Sequence, residues 1–274
     1  VEKLVFWYDG HLIRGQKLEL AIDDPALIYG ATVFTTLRVY QSLDHPLTSW
    51  TEHLTRLRSS LEAFHWSQPD WERTHQGATL LATQFPVLKI VIFPDGREWI
   101  TGRFLPQDLA QRQQNGIVAW VADSHLQRSL PNHKTGNYLA PWLALQQAQR
   151  AGAQEAILTD DTGNWLETST GNLWGWRNGS WWTPPLKAGI LPGILRNHLI
   201  HKLRWQNEEV IEKSWNAELI ETFEAIAYTN CVMEVIPIHT ILRDADSLLY
   251  DPAHLSFQRL RGLFFTSPLR RFSE

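Results

Sequence analysis

The chain has 274 residues, with 25 basic and 29 acidic side chains, a formal charge of -4, 43% hydrophobic content and 20% charged content. This length suits one large or two modest globular domains, and the slight acidity leaves no basic field for nucleic acid or an anionic membrane surface. A lone cysteine, Cys231, excludes an intrachain disulfide and a cysteine-based zinc site, and the most apolar run, 87–93, is broken by Lys89 and too short to span a bilayer.

At the start, Val1-Glu2-Lys3-Leu4 leads into no long apolar run, so no signal peptide is expected and a cytoplasmic location is. A strand is predicted over 4–8, with a turn at Asp9-Gly10, and a β-branched strand over 33–40. A helix follows over 49–64. Trp50, Leu54, Leu57, Leu61 and Phe64 recur at spacings of four and three, forming one buried stripe, with Thr48 or Ser49 as cap. On a 3.6-residue wheel His53, Arg56 and Ser60 fall beside that stripe, either as a solvated edge or as a polar flank facing a cleft.

A second helix is predicted over 71–85, then a hairpin of strands 87–93 and 97–104 around Pro94-Asp95-Gly96. The polar stretch 105–115 reads as a linker, giving a small α/β domain over 1–113 and a larger β-rich one over 114–274. The second domain opens with a strand over 117–122. Lys134 then precedes a helix over 137–151, closed by Gly152. Strands follow over 155–159, 165–167, 173–177 and 181–183, separated by Asp161-Thr162-Gly163-Asn164 and Asn178-Gly179. The loop Gly189-Ile190-Leu191-Pro192-Gly193 opens another helix, and strands are expected over 209–212, 225–229 and 234–238. Many strands and few helices point to a barrel-like architecture. The 14 tryptophans suit core, interface or ligand stacking equally. The tail Leu269-Arg270-Arg271-Phe272 reads as interface or loose end.

Singly, the polar signals are bland: a loop lysine, a glutamate at a strand end, a glycine at a helix start. Together they hold what a phosphorylated pyridine cofactor needs. A helix N-terminus, hydroxyls and an arginine suit a phosphate, a carboxylate suits a ring nitrogen, and a lysine suits an imine.

In order and spacing, these segments resemble the class IV, fold-type IV pyridoxal-phosphate enzymes. That family includes branched-chain and D-amino acid aminotransferases and 4-amino-4-deoxychorismate lyases. The resemblance rests on Tyr29-Gly30-Ala31-Thr32-Val33-Phe34-Thr35-Thr36-Leu37-Arg38, His53-Leu54-Thr55-Arg56-Leu57 and Lys134-Thr135-Gly136-Asn137-Tyr138-Leu139. It continues through 152–158, then Gly163, Glu167 and Asn172-Leu173, then Leu191-Pro192-Gly193-Ile194-Leu195-Arg196 and Asn230-Cys231.

The resemblance implies an α/β (α+β) fold with a β-barrel-like second domain, and pyridoxal 5'-phosphate as cofactor. It casts Lys134 as the Schiff-base lysine and later acid–base group, and Glu167 as partner of the ring nitrogen. Arg56 and the N–H groups of Ile194 and Leu195 would take the phosphate, with Asn230 and Cys231 as a second contact and Tyr138 beside the cofactor. Tyr29 and Arg97 are candidates for binding substrate. It also implies a homodimer acting on a small amine or amino acid.

Four positions depart from the usual pattern: Leu195 lacks a hydroxyl, Cys231 replaces a small or hydroxyl residue, and Ala31-Thr32 replaces aspartate–glycine. Aminotransferases of the group usually carry glutamate after the phenylalanine of the first motif. The pair Thr35-Thr36 there, together with Asn230, looks more like the lyases. Adjacent strand residues face opposite ways, so only one of the threonines can orient or protonate a leaving group. The expected activity is therefore conversion of 4-amino-4-deoxychorismate to 4-aminobenzoate and pyruvate, on the way to folate. A class IV aminotransferase is the first alternative, and a non-catalytic cofactor-binding protein the second.

Overall fold

A computed structural model describes residues 5–243 and 246–265; the 269–272 tail and Leu4 of the first predicted strand lie outside them. Contacts divide the chain into two compact units. One holds the described residues up to Pro106 together with His133–Tyr138; the other holds Gln107–Asn132 and the chain from Leu139 onward. The division falls a few residues before the expected 113/114 boundary, and the segment bearing Lys134 returns to the first unit.

The first unit contains β1 (Val5–Tyr8), β2 (His11–Arg14), α1 (Pro25–Tyr29), β3 (Val33–Arg38), α2 (Trp50–Ala63), α3 (Trp71–Ala82), β4 (Val87–Ile92) and β5 (Glu98–Arg103). Its antiparallel sheet runs β2-β1-β5-β4-β3. One face carries Val33, Leu37, Leu88, Ile90, Ile92 and Ile100 and packs on Leu54, Leu57 and Leu61 of α2. The predicted stripe is thus the core face, and each fully buried leucine there contributes roughly 1.5–3 kcal/mol. The other face gathers Phe34, Val91 and Phe93, with Tyr8, Trp99 and Tyr138 partly buried against them.

Ser49 occupies the N-cap position of α2 with a left-handed backbone but makes no side-chain cap bond. Thr48 instead accepts from the Tyr40 N–H and donates to the Ser42 carbonyl, tying the helix approach to the end of the strand region.

The second unit holds α4 (Leu109–Asn115), β6 (Ile117–Val121), α5 (Leu139–Arg150), β7 (Glu155–Thr159), β8 (Trp165–Thr168), β9 (Asn172–Arg177) and β10 (Ser180–Thr183). It continues with α6 (Ile194–Trp205), β11 (Val210–Glu212), α7 (Ala217–Ile220), β12 (Ala225–Asn230), β13 (Glu234–Leu242), β14 (Ser247–Leu249) and α8 (Leu255–Phe265). One mixed, curled sheet runs β11-β10-β9-β12-β13-β6-β7-β8, with β14 beside β13. The β13–β6, β6–β7 and β10–β11 pairs are parallel. On one side, Ala144 and Ala148 of α5 close onto Ala156 and Leu158 of β7.

The stretch expected to be a linker contains α4. Its leucine, alanine, arginine and glutamines are good helix formers, so a polar composition did not mean irregular backbone. Trp174, Trp181 and Trp215 are fully buried, so part of the tryptophan excess is core in this unit. Among the described residues no helix is long and apolar enough to cross a membrane.

Candidate active site

Lys134 lies on an extended strip ahead of a helix, as expected. Its carbonyl accepts from Phe34 N at 2.8 Å, Gly136 N donates to the Thr32 carbonyl at 2.7 Å, and Val33 and Thr135 form an antiparallel bridge. The strip therefore lies along β3 as an added edge. A Cβ on Gly136 would sit 2.1 Å from Thr32 Oγ1 and 2.7 Å from the Gly30 carbonyl, so the approach demands glycine. Helix α5 begins only at Leu139.

The lysine Nζ stands 4.7 Å from the Phe34 ring centroid and 5.3 Å from that of Tyr138, within cation–π range of both. The two rings meet edge-to-face at 5.7 Å. Neighbouring His133 fixes the strip from the other side, with Nδ1 3.0 Å from Ser60 Oγ on α2 and its ring tilted against Phe64.

Alternation along β3 separates the two threonines. Thr35 shares a face with Val33 and Leu37 and is fully buried towards α2. Its Oγ1 accepts from Arg56 Nη2 at 2.7 Å and lies 2.6 Å from His53 Nδ1. The polar flank of α2 thus faces β3 and the lysine strip: His53 and Arg56 meet Thr35, and Ser60 meets His133. Thr36 shares the opposite face with Phe34 and pairs across the ladder with Lys89.

Lys89 is a residue that sequence reasoning missed, although its signal was visible as the one charge interrupting an apolar strand. Its Nζ stands 4.4 Å from the Phe34 centroid, and burial pushes its ammonium pKa below the usual lysine value. Two lysines therefore attend the Phe34 ring.

Arg97 sits elsewhere. Its Nε donates to Asp95, Nη1 to the Tyr8 hydroxyl at 2.5 Å and Nη2 to Asp24 at 2.6 Å, so all three nitrogens are engaged inside the unit. The geometry makes it a strut for α1 rather than an open carboxylate receptor. Tyr29 ends α1 with its ring largely exposed.

In the second unit Glu167, on β8, is almost fully buried and ion-paired with Arg128, Nε to Oε1 at 2.6 Å. Its other oxygen accepts from Leu191 N at 3.3 Å. Arg128 also donates to the Ser169 carbonyl. Removing one partner of such a buried pair costs roughly 3–5 kcal/mol. Sequence reasoning missed Arg128, which lies in no motif and reaches Glu167 only through the fold.

Asn172 donates to the Leu191 carbonyl at 2.9 Å, and a Cβ on Gly193 would lie 1.9 Å from Asn172 Oδ1. Glu167 and Asn172 thus both pin the loop that opens α6. Gly193 caps α6 without a side chain, and the N–H groups of Ile194 and Leu195 belong to the helix's first turn, where amides have no acceptor within the helix. Both side chains are buried, so only backbone is offered there.

Asn230 accepts Val232 N and Met233 N and donates to the Thr170 carbonyl at 3.3 Å. Its amide therefore serves first to close the turn before β13. Cys231, within that turn, is half-buried. Thr170, whose carbonyl Asn230 bonds, donates its hydroxyl with that of Ser169 to the fully buried Glu155; burial raises the pKa of this carboxyl above the usual value.

Taken unit by unit, the donor chemistry suits parts of a phosphorylated pyridine. The first unit offers a lysine against apolar rings and an arginine on a helix flank. The second offers a buried carboxylate and a glycine-capped helix N-terminus.

The sequence profile of the family described as amino-transferase class IV matches residues 32–241. The branched-chain-amino-acid aminotransferase of Salmonella typhimurium is 26% identical over 264 residues, covering 86% of this chain and 84% of that protein. Among solved structures, Escherichia coli branched-chain amino acid aminotransferase superposes with a TM-score of 0.82 at 22% identity, covering 99% of this chain and 98% of that one. A Legionella pneumophila protein provisionally assigned as a 4-amino-4-deoxychorismate lyase superposes at 0.76 and 20% identity, covering 90% and 94%. The chain belongs to the class IV aminotransferase family, and it is an enzyme of the fold-type IV architecture. The cofactor of that family is pyridoxal 5'-phosphate, as the motifs implied.

Proposed function

We propose that this enzyme is a 4-amino-4-deoxychorismate lyase, releasing pyruvate and 4-aminobenzoate. The observation that carries this reading is the pairing of Thr36 with Lys89 on the face where Lys134 meets Phe34. A pocket for a branched aliphatic side chain calls for apolar lining, and a partly buried ammonium there leaves an apolar group facing a charge. A substrate with a ring carboxylate and an enolpyruvyl carboxylate gives that ammonium a partner.

Pyridoxal phosphate, when bound, supplies a sink for the electrons left on the amine-bearing carbon. Glu167 would hold the ring nitrogen, while Arg56 and the first amides of α6 would hold the phosphate. Lys134 takes the proton from the amine-bearing ring carbon. The bond from the adjacent ring carbon to the enolpyruvyl oxygen then breaks, and the ring becomes aromatic. The Thr36 hydroxyl orients the departing group, which gains a proton and leaves as pyruvate. Lys89 binds one of the substrate carboxylates.

The second reading, a branched-chain aminotransferase, draws on the Salmonella typhimurium relative and on the aromatic rings of Phe34 and Tyr138 beside Lys134. Incubation with 4-amino-4-deoxychorismate should release equal amounts of 4-aminobenzoate and pyruvate. Neither product, alongside steady amino transfer from glutamate to a branched 2-oxo acid, would replace the first reading with the second.

We place the enzyme in the cytoplasm as a homodimer. The support is the single cysteine and a helix, α1, without a buried residue, whose Leu27, Ile28 and Tyr29 stand exposed with Ile22 beside it.

A further inference from the structure

Thr35 has no task in the chemistry above, yet it is among the most tightly held hydroxyls of the first unit. It is fully buried, it accepts from Arg56 Nη2 at 2.7 Å, and it lies 2.6 Å from Nδ1 of His53, itself fully buried. Since Oγ1 already accepts from the guanidinium, its own hydrogen can point at Nδ1, which uses His53 as an acceptor. One hydroxyl then joins a strand to two positions of one helix.

We propose that Thr35 is a positioning residue which, braced by His53, aims Arg56 at the cofactor phosphate. This rests on the reading that Arg56 takes that phosphate. A guanidinium is planar and rigid, so a bond that fixes one N–H fixes the directions of the rest. Arg56 is half-buried on α2, and its long side chain still has several rotamers to lose on ordering. The bond to Thr35 narrows them before the phosphate arrives, and phosphate affinity gains the entropy not spent on ordering. The two threonines thus divide the work: Thr36 serves the substrate face and Thr35 the phosphate anchor.

The experiment measures equilibrium binding of pyridoxal phosphate and of pyridoxal, which lacks the phosphate, to apoprotein, following the imine absorbance. Thr35→Val should weaken pyridoxal phosphate about tenfold, the scale of one hydrogen bond to a charged group, and leave pyridoxal within about twofold. Thr35→Ser, which restores a hydroxyl, should bind both within about twofold of the parent. Thr35→Ala serves in place of the valine variant if that one does not fold, melting and circular dichroism deciding the matter. Equal weakening of both ligands, or of neither, overturns the proposal. Arg56→Gln separates the two layers. If it selectively weakens pyridoxal phosphate while loss of the Thr35 hydroxyl does not, the role of Thr35 falls alone. If Arg56→Gln does not distinguish the ligands, the phosphate role of Arg56 falls and that of Thr35 with it.

Discussion

Lys89 shows how one residue can carry a specificity argument. Its ammonium sits over an apolar ring, where burial disfavours the charge, and an anionic substrate group would relieve that penalty. Lys89→Met keeps much of the side chain's volume and removes the charge. It should raise KM for 4-amino-4-deoxychorismate by about tenfold or more, the scale of one charged hydrogen bond, with kcat little changed. Thr36→Val should do the reverse, lowering kcat about a hundredfold with KM nearly constant, as expected on losing the hydroxyl that orients the departing group. Steady-state kinetics on both variants would decide, and an unchanged KM for the lysine variant would remove it from the site. Part of the candidate site was legible beforehand: Lys134, Glu167 and Arg56 are named by motif, whereas Lys89 was visible only as a charge breaking an apolar strand and was given no role. Arg128 was not legible, because its partner Glu167 lies 39 positions away and no local pattern links them.

At the scale of elements, α1 was missed although its signals stand in the sequence. Asp24 caps it by accepting from Ala26 N, Pro25 occupies the first turn, and Gly30 ends it with a left-handed backbone. What hid it is the lack of a buried face, since periodicity marks only helices that pack on something. The helix is held instead by its cap, with Arg97 bonded to the second oxygen of Asp24. That bond, foremost, lowers the Asp24 pKa below the usual 3.8. A carboxylate with a depressed folded-state pKa contributes stability that is present above the unfolded value and lost as pH falls through the folded one. Asp24→Asn should therefore flatten the acid limb of the stability curve below about pH 4. Asp24→Ala, which loses cap and bridge together, should cost about 2 kcal/mol at neutral pH by denaturant unfolding. An acid limb unaltered by Asp24→Asn would show that the bridge does not act in solution.

At the scale of the whole molecule, the proposed homodimer gives the exposed apolar side chains of α1 something to cover. Sedimentation should give twice the chain mass for the parent protein, and Leu27→Lys with Ile28→Lys should shift it towards monomer. A monomeric parent at micromolar concentration would refute the assembly.

The sequence alone implied the family and the cofactor through motifs in a family-like order, and it placed most strands and the longer helices, because hydrophobic period and glycine-marked loops are local properties that backbone sterics translate into structure. It also bounded the two threonines to opposite faces. Only the tertiary structure decided which face each one takes, because that depends on the sheet pairing β3 with β4 beneath α2. It likewise returned Lys134 to the first unit as an added edge on β3, spent Arg97 on Asp24 and Asp95, and joined Arg128 to Glu167. Apart from the local Arg97–Asp95 bond, these contacts join residues far apart in the chain. They are set by packing rather than by local pattern.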